Sequence, residues 1–277
     1  MTGTPVPRRL YVHDDLSDDL RALGADAGRR GQELFTRLRR DPRVVVLALA
    51  DQLAALIARG PHAPFAATVG IGGAGMRVAA QVHALTRWFP TIHGIELWRE
   101  EDGAGGYVLA GPQPLPAQLG AVVDADSIAV VDDTIFSGIT MRAVLAAIPS
   151  RAGRRVHAFC LRAVADSLAE VAAVAPVSAG VAAPGRILTD VSFINASGLV
   201  RRGAIRRAGQ PPLAFFERPE WMAAWFPGYA DEIITLCRSI HEADEARRPD
   251  RGPRTRNGSP APSAPPESLR PGSSSRH

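Results

Sequence analysis

Residues 127–145 read SIAVVDDTIFSGITMRAVL. Ile128 to Val131 form a short apolar run, the pattern of a strand buried on both faces of a parallel sheet. Two adjacent carboxylates, Asp132 and Asp133, close it. Thr134, Ser137 and Thr140 then place hydroxyls around Gly138, and the apolar spacing of GITMRAVLAAI predicts a helix. In open α/β sheets ligands bind beyond the carboxyl ends of the strands. The first amides of a helix point outward unpaired, and its dipole favours an anion. The stretch therefore offers acceptors for sugar hydroxyls beside donors for a phosphate, and a ribose 5-phosphate meets both demands.

Outward from this stretch, short apolar runs alternate with helical patterns. FAATVGI (65–71) is a candidate buried strand. GGAGMRVAAQVHALTRWF (72–89) is a glycine turn feeding a helix. IHGIELW (92–98) alternates like a strand. REEDGAGGYVLAGPQPLPAQLG (99–120) reads as a long loop. RRVHAFCL (154–161) is a strand and ADSLAEVAAVA (165–175) a helix. This alternation predicts an α/β fold with a central parallel sheet and helices on both faces. Residues 15–59 read as helices, from DDLRALGADAGRRGQELFTRLRRD and RVVVLALADQLAALIARG. ILTDVSFINASGLV (187–200) reads as extended, and PEWMAAWFPGYADEIITLCRSIHEADEARR (219–248) as one or two closing helices. The expected organisation is a helical N-terminal segment at 1–60, an α/β domain at 61–246 and a tail at 247–277.

Composition narrows the function classes. The chain of 277 residues is 46% hydrophobic, enough for a core, and no apolar run reaches the length of a membrane span. The first residues carry no apolar signal core, so a cytoplasmic protein is expected. Cys160 and Cys237 lie far apart in apolar settings and are expected to be buried thiols, neither a disulfide framework nor a metal site. The net charge is +4. Residues 247–277 carry seven arginines against Asp250 and Glu267, a net of +5, which leaves about −1 for residues 1–246. The basicity belongs to a tail rich in Pro, Ser, Gly and Arg, expected to be disordered. No nucleic-acid surface is expected in the folded part. Every fixed side-chain cation is an arginine, because the chain has no lysine.

IAVVDDTIFSGIT (128–140) resembles the phosphoribosyl-pyrophosphate (PRPP) signature of the type I phosphoribosyltransferases. Asp132, Asp133, Ile135, Ser137, Gly138 and Thr140 match it. Thr134 stands where an aliphatic residue is usual, and Phe136 where a small or hydroxyl residue is usual. VGIGGAG (69–75) resembles the family's pyrophosphate loop, without its frequent cation; Arg77 is the nearest one. WREEDGAGGYVLAG (98–111) resembles the mobile hood of the orotate branch. The resemblance spans roughly residues 65–165.

The resemblance implies transfer of a 5-phosphoribosyl group from PRPP to an acceptor, with Mg²⁺ carried by PRPP and the acidic pair. Asp132 and Asp133 would hold the ribose hydroxyls, and Arg99 would neutralise departing pyrophosphate. Thr134, Ile135, Phe136, Ser137, Gly138, Ile139 and Thr140 would hold the 5-phosphate, and Gly72 and Gly73 the pyrophosphate. Phe193, Asn195 and Ser197 are the acceptor candidates. The expected acceptor is a nucleobase or a secondary-metabolite amine or hydroxyl. The expected partners are PRPP and this small molecule, without a membrane, and a homodimer is the candidate assembly.

Other readings stand beside this one. A non-catalytic PRPP-binding regulator would share the donor site. Gly70-x-Gly72-x-x-Gly75 with Glu96 also has the glycine spacing of a dinucleotide site. AVVDADS (121–127) imitates the D-x-D nucleophile motif of haloacid-dehalogenase-type phosphatases. Adjacent aspartates before a helix also serve as plain caps.

Overall fold

In a computed structural model of the protein, residues 6–60, 63–101, 107–205 and 210–246 are described. The tail expectation at 247–277 and the centre of the hood at 102–106 lie outside them. From the N-terminus the chain forms β1 (Arg9–Asp14), α1 (Ser17–Ala22), α2 (Ala25–Leu38), β2 (Val44–Ala48), α3 (Leu49–Arg59), β3 (Ala67–Ile71), α4 (Gly72–Thr86) and β4 (Ile92–Ile95). A hairpin, β5 (Trp98–Glu101) and β6 (Tyr107–Ala110), and α5 (Leu115–Gln118) follow. Then come β7 (Ser127–Ile135), α6 (Ile139–Ala147), β8 (Arg155–Val164), α7 (Ala165–Ala172), β9 (Val177–Ala183), β10 (Val191–Asn195), α8 (Ala196–Val200), α9 (Pro219–Trp225) and α10 (Ala230–Ala246).

Five strands form a parallel sheet in the order β4-β3-β7-β8-β9. Its two faces are covered, as the expected α/β class requires. Ile128 and Val130 of β7 pack with Met141, Val144 and Leu145 of α6. Ala129 and Val131 pack with Leu53 and Leu56 of α3 and Val78 and Val82 of α4. The order reverses between β3 and β7: the chain leaves β3 toward β4 on one side and leaves β7 toward β8 and β9 on the other. A crevice opens at such a switch point, outside the carboxyl ends of the two strands.

The N-terminal 60 residues are not an all-helical segment. They contribute β1 and β2, which pair in parallel with β10 in a second sheet, β10-β1-β2. β2 hides at the head of a run that continues into α3, so the apolar pattern blurs. The β-branched Val44, Val45 and Val46 favour a strand there. Leu10, Val12, Val44 and Ile194 face a core shared with Leu34 and Phe35 of α2 and with Trp225, Ile233 and Ile240 of α9 and α10. Residues 10–44 and 194–240 thus build one lobe together. Tyr229 ties it by donating to Asp41 Oδ2 at 2.7 Å.

The long loop expected at 99–120 is instead the β5–β6 hairpin followed by α5. Cys160 and Cys237 are free and buried, as expected. Among the described residues no helix is long and apolar enough to cross a membrane.

Candidate functional site

The site forms where β3 and β7 part. Chain turns immediately after β3, with Gly72 in the left-handed region at φ 58°, and α4 starts at once. Gly75, in the first turn, lies against β7 so closely that a Cβ there would stand 2.3 Å from the Val131 carbonyl oxygen. Only glycine lets the N-terminus of α4 approach the acidic end of β7 this way. On the other side, β7 runs through Ile135, further than its sequence pattern suggested, so the loop before α6 is only Phe136–Gly138. Gly138 caps α6 at φ 70°. The amide-bearing N-termini of α4 and α6 therefore flank Asp132 and Asp133.

Face alternation slips by one residue at this point. Val130 and Ile135 share the core on the α6 side, and so do Cys160 and Ala163 of β8. The polar residues Asp132, Asp133 and Arg162 sit within the slip. Irregularities of this kind re-aim side chains at strand ends.

Asp133 Oδ2 accepts from Arg162 Nη2 at 3.0 Å and from Asn195 Nδ2 at 3.0 Å. Arg162 Nη2 also donates to Asn195 Oδ1. Arg162 is 0% exposed and the Asp133 side chain 15%. Burial opposes ionisation of Asp133, but the Arg162 guanidinium and the Asn195 amide outweigh it and hold the carboxyl below its usual range. Asp132 Oδ1 accepts from the Asp133 amide at 2.8 Å. Burial, and then the charge of Asp133, push Asp132 well above the usual carboxylate range, with the charge of Arg99 acting the other way. The adjacent acids thus divide into a fixed anion and a protonatable partner.

Arg99, on β5, is exposed, with its guanidinium carbon 5.8 Å from the centre of the Tyr107 ring. Thr134 is half-buried, and its Oγ1 has no hydrogen-bond partner among the described residues. Ser137 and Thr140 are half-buried and Ile139 is exposed beside them. Phe136 turns away from the loop and joins Tyr11, Phe193, Val164 and Val191 in a small apolar cluster. Its carbonyl accepts from Ser167 Oγ at 2.6 Å. A bulky residue in this loop is therefore an anchor to the second sheet, and the backbone amides stay clear.

The three acceptor candidates are placed differently from one another. Phe193 is packed on Tyr11, ring centres 4.9 Å apart. Asn195 serves Asp133. Ser197 donates its amide (2.8 Å) and its hydroxyl to Asp15. Of the three, only Ser197 lines the open cleft.

That cleft has a volume of about 1080 Å³ and lies between α1 and α2 on one wall and the start of α4 on the other. His13, Asp15, Arg77, Asp133 and Ser197 border it. The N-termini of α1, α3, α4 and α8 follow the strands β1, β2, β3 and β10 toward it. Arg77 is exposed, and its Nη1 comes within 3.5 Å of where a Cβ on Gly73 would stand. An exposed cation so reaches back over the first amides of α4.

His13 and Gln52 complete the buried network. Gln52 Nε2 donates to the Leu47 and Ala48 carbonyls at 3.2 and 3.1 Å, and this fixes the amide's orientation. The same nitrogen lies 2.8 Å from His13 Nδ1; its two N–H groups are shared among the three acceptors and it cannot itself accept, so Nδ1 accepts and the ring proton sits on Nε2. Burial, and then the Arg162 charge, lower the His13 pKa to about 3, so the ring is neutral near pH 7.

His13, Asp15, Gln52 and Arg162 were not singled out in the sequence. Arg162 had a signal, being the one charge inside the apolar run HAFCLRAV. HDD at 13–15 repeats the pattern of two acids at a strand end.

Mg²⁺ takes most of its ligands from water and substrate phosphates and needs only one or two protein carboxylates. Asp132 can supply one, and Asp133 has its Oδ2 committed. Among the described residues no three His, Cys, Asp or Glu side chains form a metal cluster. The donor set fits an ion that arrives with a phosphorylated substrate.

No protein-family model and no curated protein matches the chain. It is similar to several solved structures. An orotate phosphoribosyltransferase from Aeropyrum pernix is 18% identical over 48% of this chain and 70% of its own, with a TM-score of 0.32. A purine phosphoribosyltransferase from Pyrococcus horikoshii Ot3 is 16% identical over 54% and 91%, with a TM-score of 0.36. A xanthine-guanine-hypoxanthine phosphoribosyltransferase from Helicobacter pylori is 15% identical over 52% and 86%, with a TM-score of 0.34.

Proposed function

We propose that the protein is a PRPP-dependent phosphoribosyltransferase that passes a 5-phosphoribosyl group to a small-molecule acceptor and releases pyrophosphate. One observation carries this reading. At the switch point of the parallel sheet, two helix N-termini flank an acidic pair, an arrangement that matches a sugar carrying a phosphate at each end. The 5-phosphate sits against the amides of Ile139 and Thr140, helped by the Ser137 and Thr140 hydroxyls. The ribose hydroxyls donate to Asp132 and to the Oδ1 of Asp133. Pyrophosphate lies along the amides of Gly73 and Ala74, beside Arg77 and Arg99.

In the reaction the C1–O bond to pyrophosphate breaks and its electron pair leaves with that group. A lone pair of the acceptor forms the new bond to C1 from the opposite face, and the acceptor loses a proton. Positive charge that builds on the ribose is stabilised by the carboxylates, and negative charge on the leaving group by the α4 amides and the two arginines. Mg²⁺, held by Asp132 and donor oxygens, would add to the neutralisation of pyrophosphate when bound. The β5–β6 hairpin beside Asp132 limits access of water, which would hydrolyse the donor.

The acceptor occupies the remainder of the cleft, toward Asp15 and Ser197. Its walls mix charged residues with apolar ones such as Leu20, Leu49 and Val78, and among the described residues Phe35 and His13 supply the rings. Calorimetric titration with PRPP, with and without Mg²⁺, tests the donor. Micromolar, Mg²⁺-dependent binding that is lost in Asp132→Asn supports the reading, and acceptors can then be screened by pyrophosphate release. Absence of binding under all conditions contradicts it. Binding without turnover on any acceptor points to the regulator instead.

A further inference from the structure

Arg162 is the largest fully buried side chain in the protein, at 0% exposure among the described residues. Only its Nη2 is partnered, by Asp133 and Asn195. Its Nε and Nη1 are buried with no hydrogen-bond partner among the described residues. Native proteins rarely leave buried guanidinium donors unmade, because each forfeits its hydration. Even a fully bonded buried ion pair is weak evidence for stability. An under-satisfied one is poorly explained by stability alone.

Its placement suggests another purpose. Asp133 belongs to β7 of the five-stranded sheet and Arg162 to β8 beside it. Asn195 belongs to β10 of the other sheet, where it is the register partner of His13 on β1. Both donors converge on the same oxygen, Asp133 Oδ2. That oxygen is consumed inside the protein, while the residue still borders the cleft.

We propose that Arg162 and Asn195 are positioning residues that clamp Asp133 Oδ2 between the two sheets and so present its Oδ1 alone to the bound ribose. The inference deepens the phosphoribosyltransferase reading and rests on it for the identity of the ligand. It replaces the expectation that Asn195 contacts the acceptor. It also makes the distance between the two sheets a determinant of donor geometry, since one of the two clamps comes from each.

Asn195→Leu tests it, because it removes the amide donor at similar size and without new charge. Ser192→Ala, also buried on β10 and with no hydroxyl partner among the described residues, controls for loosening of the strand. The expected result is PRPP affinity weakened at least about tenfold in Asn195→Leu, which removes both the amide donor to Asp133 and the carbonyl that accepts from Arg162, and unchanged in Ser192→Ala. Arg162→Lys keeps the charge but replaces the Nη2 that reaches both Asp133 and Asn195 with a shorter, differently aimed ammonium, and is expected to weaken affinity to a similar degree. Affinities within about twofold of wild type in both Asn195→Leu and Arg162→Lys would overturn the proposal, as would an equal loss in Ser192→Ala.

The clamp is also tested without any donor. Unfolding midpoints are compared for Asn195→Leu alone and in the paired background Arg162→Met/Asp133→Ala, which strands no buried charge. A penalty that disappears in the paired background supports the clamp, and one that persists undiminished overturns it. If wild type binds no PRPP, the function reading fails, and this cycle still decides whether the clamp exists.

Discussion

Gly75→Ala is the sharpest perturbation the geometry allows. The added Cβ would stand 2.3 Å from the Val131 carbonyl oxygen and 3.3 Å from the Asp132 Cα. A carbon–oxygen contact of this kind settles near 3.3 Å, so α4 must withdraw by roughly 1 Å. The helix cannot do this freely, because Val78, Ala79 and Val82 are packed against the sheet. Overpacking in such a setting costs about 1–3 kcal/mol, which lowers the melting temperature by about 2–12 °C for a domain of this size. The same shift draws the α4 amides away from the acidic pair. Misplacement by about 1 Å can cost on the order of 100-fold in rate, so donor binding should suffer with stability. Gly73→Ala is the control for stability, since its Cβ meets only Arg77 Nη1 at 3.5 Å and should melt within about 0.5 kcal/mol of wild type. Differential scanning fluorimetry and PRPP calorimetry read the two effects. A Gly75→Ala protein that melts like wild type and binds the donor as well would refute the close-approach reasoning.

Four other outcomes are expected. The His13 ring, with its pKa lowered to about 3, should show no proton NMR titration between pH 5 and 8. Because the folded protein binds fewer protons at His13 than the unfolded chain does, the stability that this imposes is present above the unfolded value of 6.5 and is lost as pH falls from there toward 3. His13→Gln should therefore lose less stability than wild type between pH 7 and pH 5, as read by denaturant unfolding. Tyr229→Phe removes the hydrogen bond to Asp41 and should cost about 1.5–3 kcal/mol; an unchanged midpoint would show that the two parts of this lobe are not tied there. Phe136→Ser strips the loop of its apolar anchor and should cost about 1–3 kcal/mol and weaken PRPP binding; unchanged stability would mean that the ring is not seated on Tyr11 and Phe193.

The five-stranded sheet was largely legible because its strands are apolar runs bounded by turns. β3, β7 and β8 all have cores of this kind, and the helices after them show plain periodicity. What stayed hidden had physical reasons. β9, VSAGVAA, has only Val177 and Val181 among Ser, Ala and Gly, and it must stay small where α3 rests on it: a Cβ at Gly180 would come within 2.4 Å of the Gln52 carbonyl oxygen. Small residues carry almost no strand signal. β1 alternates properly, with Leu10 and Val12 inward, but it is short and adjoins a strong helical pattern. β2 merges with α3.

The site divides in the same way. The local motif, from Asp132 to Thr140, and the glycine turn at Gly72–Gly75 were visible because consecutive residues form them. The residues that govern Asp133 come from β8 and β10, and no sequence spacing links Asp133 to Asn195, 62 positions away. The role of Asn195 could be placed only once the second sheet was in view.

The most direct test of the central claim is a crystal structure of the protein with PRPP and Mg²⁺. The account predicts the 5-phosphate at the N-terminus of α6, pyrophosphate along the first turn of α4 near Arg77, and the ribose between them against Asp132 and Asp133. PRPP bound away from the β3–β7 crevice, or reversed so that pyrophosphate occupies the α6 end, would contradict it.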